Sequence, residues 1–344
     1  MLSVSSGAVV LNSLALLGGL AILVRSADWF VDGAAGTARV LGLPPLIIGM
    51  LVVGFGTSAP EMLISGISAA DGASGIALGN AWGSNIANIA LILGVSAMVH
   101  PVAVQSRILL IELPILLGAT VIGALLVIDE VISRPEALIL LAAMLGFVFW
   151  SIRTGKTHGD DPLAGEFSAA EEGAEAVSAR THLFRLLLGL VLLIASSRIM
   201  VWGAVGIATV LGVSDLVIGL TVVALGTSLP ELASSVAAAR RGEHDLILGN
   251  VIGSNLFNTL AVVGIGAVIN PIDVEPVALV RDLPVMAALT LVLFVIGFRV
   301  PSRHPQGGGA TVSTPGGRVN RFEAAFLLLT YAGYLTWVGL SFRG

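Results

Sequence analysis

Two stretches of this chain, 170 residues apart, repeat the same pair of motifs. GTSAPE at 56–61 is followed by GNAWGSNIAN at 79–88, and GTSLPE at 226–231 is followed by GNVIGSNLFN at 249–258. Aligned without a gap over 56–94 and 226–264, 16 of 39 positions are identical. A shared apolar character does not produce that level, so the chain is a tandem duplication. Each copy carries one carboxylate, Glu61 or Glu231, inside an apolar run. There an ionised group costs several kcal/mol unless something compensates it, which makes it a functional signal.

The chain is 56% hydrophobic and 11% charged, against roughly 25% charged residues in a soluble domain. It reads as an all-α polytopic membrane protein. Apolar segments of spanning length lie at about 8–28, 43–70, 74–98, 107–128, 133–152, 184–209, 213–239, 244–270, 281–299 and 321–341, ten transmembrane helices in all. The first five-helix repeat is expected over 1–153 with its signature at 56–88, and the second over 184–344 with its signature at 226–258. Between them, 154–183 is an acidic linker carrying Asp160, Asp161, Glu166, Glu171, Glu172 and Glu175. A calcium-sensing role for those acids is conceivable, but a solvated linker explains them. The polar stretch 301–319 reads as a second plain connection.

Several classes of chemistry drop out. No cysteine is present, which removes thiolate metal sites and cysteine nucleophiles. His100, His158, His182, His244 and His304 all fall in expected loops or at helix ends, away from any soft-metal site within the membrane. The apolar N-terminus has no basic residue before Arg25, so it reads as helix one and not as a signal peptide. No basic patch points to nucleic acid. No cofactor is expected, and no nucleophile or base accompanies the buried acids, so an enzyme is not expected either.

Five helices per copy is an odd number, so the second copy enters the membrane from the opposite side and the repeats are inverted. That arrangement brings both signatures to the bilayer midplane, with Glu61 facing Glu231. Orientation follows from the Lys and Arg residues. Thirteen fall on the side of the linker, and Arg134, Arg281 and Arg343 on the other, with Arg198 within helix six. The linker is therefore expected in the cytoplasm and both termini outside it.

The local chemistry points to hard cations. Pro60 has no N–H for the carbonyl of Gly56, and Pro230 none for Gly226, so helices two and seven are expected to be broken. A freed carbonyl at membrane depth must be satisfied by protein, water or an ion. Thr57 and Ser58 share a helical face with Glu61, as Thr227 and Ser228 do with Glu231. The partner helix adds a stripe at spacing four: Asn80, Ser84 and Asn88, repeated as Asn250, Ser254 and Asn258. Two carboxylates, hydroxyls, amide oxygens and open carbonyls without a Lys or Arg in either signature suit Ca²⁺, and can also hold Na⁺.

Packing is the competing explanation for a proline kink or a polar helix face, but it does not account for both copies repeating the glutamate with the stripe. Glu112 and Asp282 also correspond under the repeat, and their place near helix starts favours capping over ion binding. Asp28 and Asp32 lie where helix one is expected to end and read as interfacial. Trp82 reads as packing.

These motifs resemble the two alpha repeats of the sodium/calcium exchangers of the cation/calcium antiporter superfamily, over nearly the whole chain. The resemblance implies that Thr57, Ser58, Glu61, Ser84 and Asn88 join Thr227, Ser228, Glu231, Ser254 and Asn258 in one calcium site with neighbouring sodium sites, used in alternating access. Many relatives carry Asp at one of the two positions held here by Asn88 and Asn258, so this site has two acids instead of three. The long regulatory loop of the animal exchangers is missing. The expected function is secondary antiport of Ca²⁺ for Na⁺ across a prokaryotic-type inner membrane, with the ions and the lipid bilayer as partners. Ca²⁺/H⁺ antiport is the alternative, although the signatures lack the extra Glu that the cation/proton members place after their Gly-Asn pair. A channel fits less well, since pores are usually rings of subunits.

Overall fold

The computed structural model describes residues 6–104, 108–157, 178–211, 224–298, 302–305, 311–314 and 317–341. The chain is mostly helical. In order, it forms α1 (Ser6–Leu41), α2a (Pro45–Thr57), α2b (Ala59–Ala70), α3 (Gly75–Val99), α4 (Ile108–Leu125), α5 (Arg134–Thr157), α6 (Ala179–Val210), α7a (Ala224–Thr227), α7b (Leu229–Arg241), α8 (His244–Ile269), α9 (Asp282–Phe298) and α10 (Arg321–Ser341). Among the described residues, eight helices are long and apolar enough to cross a membrane, or nine if α2a and α2b, bent by 41°, form one span. The start of the expected seventh segment and most of the acidic linker lie outside the described residues.

Helix α1 runs to Leu41, well past its expected end near 28, because Asp28 and Asp32 do not stop it. The carboxylate of Asp32 accepts from Arg185 of α6 at 2.6 Å and from Arg241 at the end of α7b at 2.9 Å, while Arg241 also donates to the Asp28 carbonyl at 3.1 Å. These two acids thus join three helices, and α1 packs along α6.

Three short antiparallel ribbons accompany the helices. β1 (Val102–Val104) pairs with β6 (Gly317–Val319), β2 (Val131–Ile132) with β3 (Ile272–Asp273), and β4 (Ser302–Pro305) with β5 (Thr311–Thr314). The polar stretch expected as a plain connection supplies three of these strands. Val102, Val104 and Val319 bury alternate side chains, a period-two pattern too short to stand out in the sequence.

The capping expectation also changes. Helix α4 begins with a π-turn at Ile108–Glu112, so Glu112 lies inside the helix, fully buried, and its side chain makes no cap hydrogen bond. Asp282 does sit in the first turn of α9, and its carboxylate accepts a fork from Arg281 at 2.7 and 3.0 Å and the Tyr334 hydroxyl at 2.9 Å. That contact fastens α10 to α9.

The centre is built by close helix approach. Helix α2a lies against α8, where Gly49 meets Gly249 and Gly54 meets Gly253. Between apolar helices in lipid, small residues permit the backbone contact that drives association. A Cβ at Gly253 would sit 2.5 Å from the Met50 carbonyl oxygen, and one at Gly249 2.7 Å from that of Leu46, both immovable backbone atoms. Gly253→Val is therefore expected to lower the thermal unfolding midpoint in detergent by an amount matching about 3 kcal/mol of overpacking. Gly146→Ala on α5, where a Cβ meets nothing within 4 Å, should leave the midpoint unchanged or raise it.

Candidate functional site

The two helix breaks are alike in detail. Ser58 joins α2a to α2b with φ −85° and ψ 0°, and Ser228 joins α7a to α7b with φ −90° and ψ 5°. Both lie in the sparsely populated bridge region. Pro60 and Pro230 occupy the second position of the outgoing half-helix, where a missing N–H costs nothing. Each carboxylate then falls in a first turn, Glu61 in α2b and Glu231 in α7b, where the N–H ends of the helix favour negative charge.

Both acids are withdrawn from solvent, Glu61 at 1% exposure and Glu231 at 3%. The hydroxyl of Ser58 donates to Glu231 Oε1 at 3.5 Å, so the break in the first copy reaches the acid of the second. The Thr57 hydroxyl lies 2.9 Å from the Val53 carbonyl and 3.2 Å from Asn250 Oδ1 on α8. Asn250 is held in turn from α7b: its Nδ2 donates to Ser235 Oγ at 2.8 Å, Ser234 Oγ at 3.3 Å and the Glu231 carbonyl at 3.2 Å. Ser254 reaches the same Asn250 Oδ1 at 3.5 Å. This network gathers Thr57, Ser58, Glu231, Asn250 and Ser254. Gly56, Ser84, Asn88 and Asn258 are also buried, Asn80 is half-buried on α3, and Thr227 closes α7a.

One expected ligand is engaged by protein. The Gly226 carbonyl, freed by Pro230, accepts from Ser197 Oγ of α6 at 3.0 Å, which occupies one of its two lone pairs. Ser197 was not legible as a site residue, because the contact joins two helices. Ser234, Ser235, Asn85 and Asn255 are further buried polar residues here. For the two asparagines a signal existed, since both belong to the repeated GSN triplet. Asn85 Nδ2 donates to Thr259 Oγ1 at 2.8 Å, and Asn88 Nδ2 donates to Asn255 Oδ1 at 2.9 Å, each across the two copies. Both stripes also run into π-turns, at Asn88–Ile92 and at Phe257–Val262. Such turns concentrate at functional sites, where they re-aim side chains.

What remains is a set of acceptors without donors. Among the described residues, both oxygens of Glu61, Oε2 of Glu231 and Oδ1 of Asn85, Asn88 and Asn258 are buried with no hydrogen-bond partner. An ionised carboxylate only accepts, and leaving it buried and uncompensated is strongly unfavourable. A cation beside these oxygens would compensate them.

The comparisons agree with this chemistry. The family model described as sodium/calcium exchanger protein matches residues 11–153 and 181–340. The putative antiporter CaxA of Alkalimonas amylolytica is 42% identical, over 93% of this chain and 96% of that protein. The sodium/calcium exchanger MaX1 of Methanosarcina acetivorans is 31% identical, over 95% and 98%. The solved structure of the sodium-calcium exchanger NCX_Mj, soaked with Na⁺ and Sr²⁺, superposes with a TM-score of 0.79 at 30% identity, covering 95% of this chain and 98% of that one. With buried acceptors at two matching helix breaks and a family match across both halves, this chain belongs to the sodium/calcium exchanger family.

Proposed function

We propose that this protein is a secondary antiporter that exchanges Ca²⁺ for Na⁺ by alternating access, at a site built from Gly56, Thr57, Ser58, Glu61, Ser84 and Asn88 of one copy and Gly226, Thr227, Ser228, Glu231, Ser254 and Asn258 of the other. The observation that carries the reading is the buried set of unpartnered carboxylate and amide oxygens. Ca²⁺ takes six to eight oxygens in flexible geometry. Two carboxylates match its charge, and Na⁺ can occupy the same hydroxyls and amide oxygens when Ca²⁺ has left. Loading neutralises the acids and lets the site pass through an occluded state. The empty site keeps two buried charges and is held back, which couples the two ion movements.

The ten-helix reading divides the chain into 1–153 and 184–344 around the linker 154–183, and two contacts support an inverted relation between the copies. Ser74 accepts from Asn270 Nδ2 at 3.5 Å, and the rings of His244 and His100 lie 5.2 Å apart. Adding the repeat offset turns position 74 into 244 and position 100 into 270, so the same corner is built twice with the partners exchanged. The distribution of Lys and Arg supports placement in the cytoplasmic membrane with the linker inside and both termini outside. In this cysteine-free chain, Ser341→Cys should react with an impermeant thiol reagent added to intact cells, and Ser178→Cys only after lysis. The opposite pattern inverts the topology.

The deciding experiment is ⁴⁵Ca²⁺ uptake into proteoliposomes holding the purified full chain, with an outward Na⁺ gradient or a pH gradient imposed separately. Uptake is expected with the Na⁺ gradient. Uptake driven by the pH gradient alone makes the protein a Ca²⁺/H⁺ antiporter and removes Na⁺ from the reading.

A further inference from the structure

Asn85 and Asn255 follow the stripe serines in the two copies and are not among the proposed ion ligands, yet both are buried, at 2% and 1% exposure. Asn255 Oδ1 accepts from Asn88 Nδ2 at 2.9 Å, across 167 positions of sequence. The side-chain oxygen of Asn88, Oδ1, is left buried without a partner, whereas its main-chain carbonyl is engaged in the helix. An amide offers a cation an attractive oxygen on one edge and a repulsive NH₂ on the other. With Asn255 in its present orientation, turning the Asn88 amide over would set its oxygen against Asn255 Oδ1, losing one hydrogen bond and opposing two acceptors. The backbone alone leaves this orientation open, since Asn88 begins a π-turn in which its own carbonyl accepts from the N–H of Leu93, five residues on.

We infer that Asn255 is a positioning residue for ion exchange: by accepting from Asn88 Nδ2 it fixes that amide with its carbonyl oxygen offered to the ion. The inference rests on the proposed site, with Asn88 as a ligand. Residues that orient a metal ligand in this way are typically worth about 10- to 100-fold in metal affinity. The second copy supplies Asn255 and the first supplies Asn88, so this bond also makes the ligand geometry of one repeat depend on its packing against the other.

The test is a double-mutant cycle read as Na⁺-driven ⁴⁵Ca²⁺ uptake, with KM and kcat separated, in proteoliposomes of the full chain. Asn255→Leu should raise the KM for Ca²⁺ about tenfold, the equivalent of about 1.4 kcal/mol, with kcat within a factor of about two. Asn255→Thr, which keeps an acceptor oxygen, should recover most of that affinity. Asn88→Ala should raise KM by a similar factor. Combining Asn88→Ala with Asn255→Leu should then be no worse than Asn88→Ala alone, because Asn255 acts only through Asn88. If the leucine variant does not fold, Asn255→Ala carries the same cycle without added volume. A further rise in KM from the Asn255 change in the Asn88→Ala background, or no rescue by threonine, overturns the inference and leaves the exchanger reading standing. A parent protein without Na⁺-driven uptake overturns both.

Discussion

Glu61→Gln and Glu231→Gln each abolish nearly all Ca²⁺ transport while leaving a folded protein; that is the expected result for an acid with no role except to meet an ion. Each substitution removes one of two negative charges facing a divalent cation and keeps the side-chain volume. At about 4 Å and an effective dielectric constant near 20, one charge against a unit cation is worth about 4 kcal/mol, or roughly a thousandfold in affinity at 1.4 kcal/mol per decade. Folding should survive, because glutamine keeps the side-chain volume and its amide oxygen can still accept the Ser58 hydroxyl, which lies 3.5 Å from Glu231 Oε1. Flux at limiting Ca²⁺ and melting in detergent check the two halves of the expectation. Either variant keeping most of its flux would place the site elsewhere. Asp282→Asn, in a carboxylate already held by Arg281 and Tyr334, should lower stability while sparing the KM for Ca²⁺.

Transport should need no K⁺, and Asn258→Asp should change ion coupling more than it changes folding. Asn88 and Asn258 are both neutral and both buried, so the loaded site balances two carboxylates. A third carboxylate is repelled by Glu61 and Glu231, and an additional cation or proton must accompany it in the loaded state. Na⁺-driven flux with and without K⁺, across a pH series, in the parent and in Asn258→Asp, is the measurement. An absolute K⁺ requirement in the parent, or identical ion and pH profiles for the two proteins, would show that position 258 does not set the charge of the site.

The sequence was most informative where the determinant is local. Pro60 and Pro230 interrupt their helices because of what proline lacks, and Ser58 and Ser228 break at the positions the motif indicates. Spacing placed Thr57, Ser58 and Glu61 on one helical face, but the break at Ser58 leaves Thr57 in α2a and Glu61 in α2b; repetition in a second copy argued against packing alone. Helix lengths were less legible. Asp28 and Asp32 resembled a helix end until Arg185 and Arg241 were seen to neutralise Asp32 from other elements.

By itself, then, the sequence determined the membrane environment, the duplicated helix breaks and the two acids within them, since these follow from hydropathy, backbone stereochemistry and repetition along the chain. Tertiary structure alone decided which oxygens stay available. Asn250 is consumed by Ser234, Ser235 and Thr57, the Gly226 carbonyl is engaged by Ser197, and Asn88 is turned by Asn255. Three of these contacts, those of Thr57, Ser197 and Asn255, join helices that no local period links. An amide or carbonyl can serve an ion only with the lone pairs its neighbours leave unused, and those neighbours are known only once the helices have packed.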